Sequence, residues 1–377
     1  MDLETRLVRG SQGFDPVTGA VSFPIYQSAT FRHPGVNQST GYDYSRVQNP
    51  TREELEKTIA HVEGGAAGFA FASGMAAISA LMETLPRESH VIVSDDLYGG
   101  TFRLFSILEK RGMTFTYTDT SKPDLVEAAF RSGTKMLFIE TPTNPMMKVA
   151  DIALLSGMAH ARGILCAVDN TFLSPYFQRP LAHGADVVLH SATKYLGGHN
   201  DLIAGLLVTK EAALGEEISY VLKSVGNMLG PFDSWLLLRG MKTLALRMEK
   251  HQANAFAIAA WLKEQPQVDR VYYAGFPDHE SAAVSARQTS GHGGMMSFSV
   301  KDPALVNQIL SRVKLILFAE SLGGVETLIT FPLVQTHAAI PREILDRLGV
   351  TDKLLRLSVG IEAVEDLIAD LKQAMAG

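Results

Sequence analysis

Six short apolar runs follow one another between residues 90 and 209: HVIVSDD (90–96), MTFTYTD (113–119), KMLFIET (135–141), ILCAVDN (164–170), ADVVLHS (185–191) and LIAGLLVT (202–209). They are rich in β-branched and aromatic residues and carry almost no polar alternate face, as expected of strands buried on both sides. Between several of them lie stretches with helical spacing of apolar residues, TFRLFSILEKRG (101–112), PDLVEAAFRS (123–132) and DIALLSGMAHARG (151–163). This alternation predicts an α/β fold: a mostly parallel central sheet with helices on both faces. Upstream, NPTREELEKTIAHVEGG (49–65) reads as a helix, with Pro50 before Thr51 and Glu54 placed as in a capping box. SGMAAISALMETL (73–85) reads as a second helix. Residues 1–50 show no sustained period and carry turn formers, so they read as an extended arm. A long amphipathic helix over about 232–264 comes next. After it, RVYYAG (270–275), GMMSFSV (294–300), LILFAES (315–321), LLRLSVG (354–360) and VEDLIADLKQAM (364–375) are more widely separated and predict a smaller α+β domain. The expected division is an arm at 1–50, a large domain at 51–245 and a small C-terminal domain at 246–377.

Charge and composition narrow the classes of partner. The formal net charge of the 377 residues is −6, without Lys/Arg blocks, which argues against nucleic acid and anionic membranes. The longest apolar runs, such as AFAIAAWL (255–262), are too short to span a bilayer, and the N-terminal residues lack a signal-peptide core, so a cytoplasmic protein is expected. The single cysteine, Cys166, excludes an intramolecular disulfide and cysteine-cluster metal sites, and it reads as core. His183, His190 and His199 fit no metal-ligand spacing, and no metal is expected.

The polar residues gather where strands end, and in open parallel sheets ligands sit beyond those ends. FIE runs into TPTNP with Asn144, and ILCAV into Asp169-Asn170-Thr171. ADVVL runs into His190-Ser191-Ala192-Thr193-Lys194, and VIVSDD into Leu97-Tyr98, with Arg103 shortly after. One such residue alone is as well explained as a cap or a solvated side chain. Several on neighbouring strands predict a small-molecule site. Neither G-x-G-x-x-G after a strand nor G-x-x-x-x-G-K-[ST] is present, so the dinucleotide and P-loop fingerprints are missing. A phosphate seat of another kind remains, at Ser73-Gly74-Met75 opening a helix, with the Ser191 and Thr193 hydroxyls beside it. A phosphate next to a lysine and an aspartate points to pyridoxal 5′-phosphate (PLP), its aldehyde toward Lys194 and its ring nitrogen toward Asp169.

These motifs together resemble the Cys/Met-metabolism group of fold-type I PLP enzymes, the cystathionine γ-synthase family, over almost the whole chain. The resemblance is carried by YSRVQNPT (44–51), ASGMAAI (72–78), DLYGGTFRLF (96–105), ETPTNP (140–145), VDNTF (168–172), HSATKYLGGHND (190–201), FDSWLLLRGMKTL (232–244), AESLGGVETL (319–328) and LLRLSVGIE (354–362). It implies that Lys194 condenses with the cofactor and then shuttles protons, that Asp169 partners the ring nitrogen, and that Tyr98 stacks on the ring. It places Gly74, Met75, Ser191 and Thr193 on the phosphate, and Arg356 on the substrate carboxylate with Asn144 and Ser321 beside it. It implies further that Tyr44 and Arg46 reach the phosphate of a neighbouring subunit. The arm then becomes a trans-acting clamp, and the protein a homo-oligomer with shared sites, a dimer of active dimers.

The family supports several reactions on amino-acid substrates. An acid at Glu320 resembles the γ-synthases and γ-lyases, where it meets a distal ammonium. Asp43, in YDYSR, resembles the synthase pattern. Arg103 resembles a position that orients neighbouring acids and substrate. The expected reaction is γ-replacement on O-acetyl- or O-succinylhomoserine with cysteine, giving cystathionine, extended by the shorter bacterial members to sulfide, giving homocysteine. Cystathionine γ-lyase or β-lyase chemistry is the alternative. A non-catalytic PLP-binding protein is disfavoured because every catalytic position is filled.

Overall fold

The computed structural model describes residues 1–338 and 340–376. Seven strands form one sheet: β1 (Ala67–Phe71), β2 (His90–Ser94), β3 (Thr114–Thr118), β4 (Thr134–Glu140), β5 (Leu165–Asp169), β6 (Val187–Ser191) and β7 (Gly205–Thr209). Their order is β1-β7-β6-β5-β4-β2-β3. The pairs β2/β3, β2/β4, β4/β5 and β5/β6 are parallel, whereas β7 runs antiparallel to both β6 and β1. No helix connects β6 to β7, so the chain turns back instead of crossing over. That return loop carries Lys194 along the carboxyl ends of the strands.

Both faces of this sheet are covered, as the unbroken apolar runs required. Along β5 and β6, Cys166, Val168 and Val188 pack with Leu55 and Ile59 of the helix Pro50–Glu63 and Leu155 of the helix Ile152–His160. The alternate residues Ala167, Val187 and Leu189 pack with Ile78 and Leu81 of the helix Gly74–Glu83 and Phe105 of the helix Gly99–Glu109. Each buried Val, Leu, Ile or Phe among them contributes about 1.5–3 kcal/mol relative to exposure.

The second sheet holds β8 (Val268–Tyr272), β9 (Met295–Val300), β10 (Leu317–Phe318), β11 (Leu328–Thr330) and β12 (Leu354–Ser358), in the order β10-β11-β12-β9-β8. Only β10 and β11 pair in parallel. Helices Leu244–Lys263 and Val364–Met375 bury Ile258, Leu262, Leu367 and Leu371 against it.

Three local expectations are corrected, and one unassigned segment forms a strand. The arm is not wholly extended: Leu3–Arg9 is helical and buries Leu7 in the core of the large sheet. The helix Pro50–Glu63 is capped by Asn49, whose side chain accepts from Thr51 N and Arg52 N. Thr51 instead donates to the Pro24 carbonyl and Glu54 accepts from Ser11, so both members of the expected capping box serve the arm. AGFAF, to which the sequence pattern assigned no element, is β1. Finally, the long helix breaks into Pro231–Met241 and Leu244–Lys263. At the break the Arg247 guanidinium donates to the freed Gly240 carbonyl (2.8 Å) and to the Tyr195 carbonyl (2.6 Å). Its side chain thereby satisfies the interrupted turn and ties it to the Lys194 loop.

Candidate active site

A cavity of ≈ 340 Å³ opens at the carboxyl ends of β2, β4, β5 and β6. β2 and β4 are neighbours although β3 lies between them in sequence, so chain connections diverge on either side of this pair. Such a switch point leaves a crevice that no crossover fills. Eleven of the fifteen residues to which the resemblance gives a role line the cavity: Gly74, Met75, Tyr98, Asn144, Asp169, Ser191, Thr193, Lys194, Glu320, Ser321 and Arg356.

One end of the cavity is an anion seat. The Ser73 side chain caps the helix Gly74–Glu83 by accepting from Ala76 N (3.1 Å). The N–H groups of Gly74 and Met75, in the first turn, have no carbonyl of that helix to bond. A Cβ on Gly74 would stand 3.1 Å from the Ser191 Cα, so only glycine lets the β6 end approach this helix terminus without displacement. The hydroxyls of Ser191 and Thr193 lie alongside. Donors, dipole and the narrow gap suit a phosphate.

Next to this seat stands Lys194. Its ammonium donates to the Ser321 hydroxyl (2.9 Å), and burial, assisted by the nearby Arg356 charge, pulls its pKa down to about 8. Arg356 lies on β12, only 1 % exposed. It donates to the Asn144 side-chain oxygen (3.0 Å), the Ser321 carbonyl (3.0 Å) and the Thr330 hydroxyl (3.1 Å). Its Nε is buried without a partner. A fully buried guanidinium with neutral partners and a spare donor is a ready receptor for a carboxylate. Ser321 holds φ at 100°, a region that costs a serine about 1–3 kcal/mol. Its bonds to Lys194 and Arg356 hold that conformation. Glu320, exposed at the mouth, lies close enough for its charge to act on both cations.

On the sheet side, one Asp169 oxygen accepts from Thr171 N (3.0 Å) and the Thr171 hydroxyl (2.5 Å). Burial nevertheless holds the Asp169 carboxyl above its ordinary range. A half-buried carboxylate without a counter-cation is a place for one, and the ring nitrogen of PLP supplies it when protonated. Tyr98, 41 % exposed, presents its ring at the rim. Glu140, the last residue of β4, and Thr336 also line the cavity, beyond the residues that sequence reasoning picked out, and so does Thr171, which it placed at the end of β5 without a role. Glu140 was legible as an acid ending an apolar run, one strand away from Asp169. Thr336 had no such signal.

Asp43, Tyr44, Arg46 and Arg103 do not line this cavity. Tyr44 is 46 % exposed and carries the Arg46 guanidinium over its ring at 5.6 Å, and Arg46 donates to the Lys223 carbonyl. Asp43 pairs with His33 (3.2 Å) and Arg103 is exposed on the helix Gly99–Glu109. Within one chain these four stand outside the site. Among the described residues, no group of three His, Cys, Asp or Glu could hold a metal ion, and no helix is long and apolar enough to cross a membrane.

A switch-point cavity with a phosphate seat, a half-buried lysine and a half-buried aspartate defines a fold-type I α/β enzyme built for PLP. The chain belongs to the Cys/Met metabolism PLP-dependent enzyme family, which it matches over residues 4–376. It is 51% identical over 374 residues to a cystathionine γ-synthase/O-acetylhomoserine (thiol)-lyase of Bacillus subtilis, covering 99% of this chain and 96% of that one. It is 49% identical over 374 residues to a cystathionine β-lyase of Lactococcus lactis, covering 99% and 98%. A cystathionine γ-lyase of Lactobacillus plantarum, solved with L-serine, superposes with a TM-score of 0.96 at 48% identity, covering 99% of this chain and 98% of that one. The chain is therefore a PLP-dependent enzyme of sulfur amino-acid metabolism, and its relatives divide between synthases and lyases at nearly equal identity.

Proposed function

We propose that this enzyme catalyses γ-replacement on an O-acylhomoserine, acetyl or succinyl, with cysteine to give cystathionine, and with sulfide to give homocysteine, in methionine biosynthesis and transsulfuration. The observation that carries this reading is the position of Glu320. It lies at the open mouth of the cavity, on the side of Lys194 and Arg356. With the substrate carboxylate held at Arg356, a carboxylate at the mouth matches the ammonium of an incoming cysteine.

PLP, when bound, supplies an aldehyde for an amine and an electron sink for charge developing at the substrate Cα. The other steps belong to the chain. Gly74, Met75, Ser191 and Thr193 hold the phosphate, and Tyr98 covers the ring. Asp169 keeps the ring nitrogen protonated. Arg356, steadied by Asn144 and Ser321, fixes the substrate so that its Cα proton faces the Lys194 amine. The amine takes that proton and moves protons at neighbouring carbons. Tyr44 and Arg46 complete the phosphate seat of a partner subunit, and Asp43 adds negative charge at that subunit's mouth.

The decisive assay gives PLP-loaded enzyme either homoserine ester with cysteine or sulfide, and cystathionine alone in a separate tube. Cystathionine or homocysteine formed from one ester, with little cystathionine breakdown, is the expected result. The second reading is a cystathionine γ- or β-lyase; in a γ-lyase the far ammonium of cystathionine would meet the same Glu320. Rapid release of 2-oxobutyrate or pyruvate without replacement product would establish it. Arg356→Lys is expected to raise KM for the amino-acid substrate by roughly tenfold or more, because an ammonium cannot reproduce the bidentate contact. Initial rates over a range of ester concentration check this, and an unchanged KM would remove Arg356 from substrate binding.

A further inference from the structure

Two carboxyl groups, a buried one of Glu140 and a half-buried one of Asp169, stand on neighbouring strands under the cavity. Glu140 and Asp169 end the adjacent parallel strands β4 and β5 as register partners, and both line the cavity. Register partners on adjacent parallel strands, whose backbones lie about 4.8 Å apart, project to the same face of the sheet, and each carboxylate there disfavours ionisation of the other. The local donors decide which carries the charge. Asp169 receives two hydrogen bonds from Thr171, one through N–H and one through the hydroxyl, whereas Glu140 receives one, from Tyr98 N (3.0 Å). The other charges facing Glu140 are Asp96, from the segment after β2, and Arg356, from β12. Asp96 is itself fully buried and acidic, so it discourages a further negative charge. The Arg356 guanidinium is engaged by Asn144, Ser321 and Thr330, and makes no hydrogen bond to Glu140 among the described residues.

We propose that Glu140 is a positioning residue that works as a neutral carboxylic acid: it seats Tyr98 through the backbone N–H and leaves Asp169 as the single negative charge beneath the cofactor ring. This rests on the reading that PLP lies with its ring nitrogen toward Asp169. Burial and the neighbouring Asp169 both push the Glu140 carboxyl well above its ordinary range, in agreement with the geometry. The arrangement separates two tasks. A second anion would over-neutralise the ring nitrogen and repel Asp169, while an apolar residue would leave the Tyr98 N–H without an acceptor. A neutral acid avoids both.

The test compares wild type, Glu140→Gln and Glu140→Ala as apoenzymes titrated with PLP, following the visible band of the bound cofactor and its pH midpoint, with circular dichroism as the check on folding. Glutamine is neutral and keeps the acceptor. It is expected to bind PLP within about twofold of wild type with an unchanged midpoint. Alanine is expected to bind roughly tenfold more weakly, the consequence of an unpaired N–H and a loosened tyrosine. A midpoint displaced by more than about one pH unit in Glu140→Gln would mean that Glu140 is ionised, and would overturn the proposal. So would alanine binding as tightly as wild type. If alanine does not fold, the glutamine midpoint still decides. A wild-type protein that took up PLP without a visible band would overturn the cofactor placement itself, a different failure from the two above.

Discussion

Lys194→Ala is expected to lower turnover by about 10³-fold or more and to abolish the visible signature of PLP held covalently, while the protein still folds and still binds the phosphate. The size of the effect follows from how the structure prepares this one amine. Burial and the Arg356 charge bring its pKa from 10.5 to about 8, which raises the fraction of free amine at neutral pH by roughly 300-fold. Ser321 holds the amine toward the cavity at 2.9 Å. Among the described residues no other lysine lines the cavity, so no neighbour can substitute. The sign of the linkage supplies a control. A lysine whose pKa is depressed on folding weakens the folded state fully below about pH 8, and that cost fades as pH rises toward 10.5. Removing it from the apoenzyme should therefore not lower the melting temperature at neutral pH. Loss of activity together with a lower melting temperature would signal unfolding instead. Retention of turnover within tenfold of wild type would remove Lys194 from the chemistry.

Mixed oligomers of Arg46→Ala and Lys194→Ala are expected to regain activity that neither variant has alone. Arg46 and Tyr44 carry motif residues of the family, yet in a single chain they stand outside the cavity, with Tyr44 46 % exposed. Phe14, Val17, Val21 and Val36 on the same arm are also exposed, at 49%, 80%, 76% and 91%. A segment this apolar on an isolated chain is suited to contact with another copy. If Arg46 completes the partner's phosphate seat, a mixed dimer has one site lacking both groups and one intact site. Random reassembly of equal amounts then restores roughly a quarter of the wild-type activity, since half of the dimers are mixed and each has one good site. The measurement is activity after joint unfolding and refolding, with differently tagged chains used to verify that mixed dimers formed. Verified mixed dimers without activity would confine each site to one chain.

Much of the site was legible in the sequence because its residues stand where strands end. Lys194, Asp169, Ser191 and Asn144 each follow a run of apolar residues too uniform to be anything but a buried strand, and period alone placed them on one rim. The helix start at Ser73 was equally local, since a cap and the first free N–H groups lie within a few residues of one another. Arg356 was harder. It sits inside a strand of the other sheet, LLRLS, where periodicity makes it a buried anomaly without saying what it faces. Only the motif resemblance tied it to the cavity, and only the fold shows its partners Asn144, Ser321 and Thr330.

What the sequence determined by itself was therefore the class of fold, the alternation of strands and helices, and the chemical groups available at the rim, because these follow from short-range period and residue type. Tertiary structure decided the rest. The antiparallel return of β7, which lays the lysine loop over the cavity, depends on an absent crossover and not on any residue of β7. The break near Thr243 depends on Arg247 reaching back to Gly240 and across to Tyr195. Thr51 and Glu54 left their capping roles because the folded arm offered Pro24 and Ser11 as partners. The pairing of Glu140 with Asp169 needs the register of β4 on β5, 29 residues apart in sequence. Each is a contact between segments that propensity treats as independent, and the energy of such contacts exists only once the chain has folded.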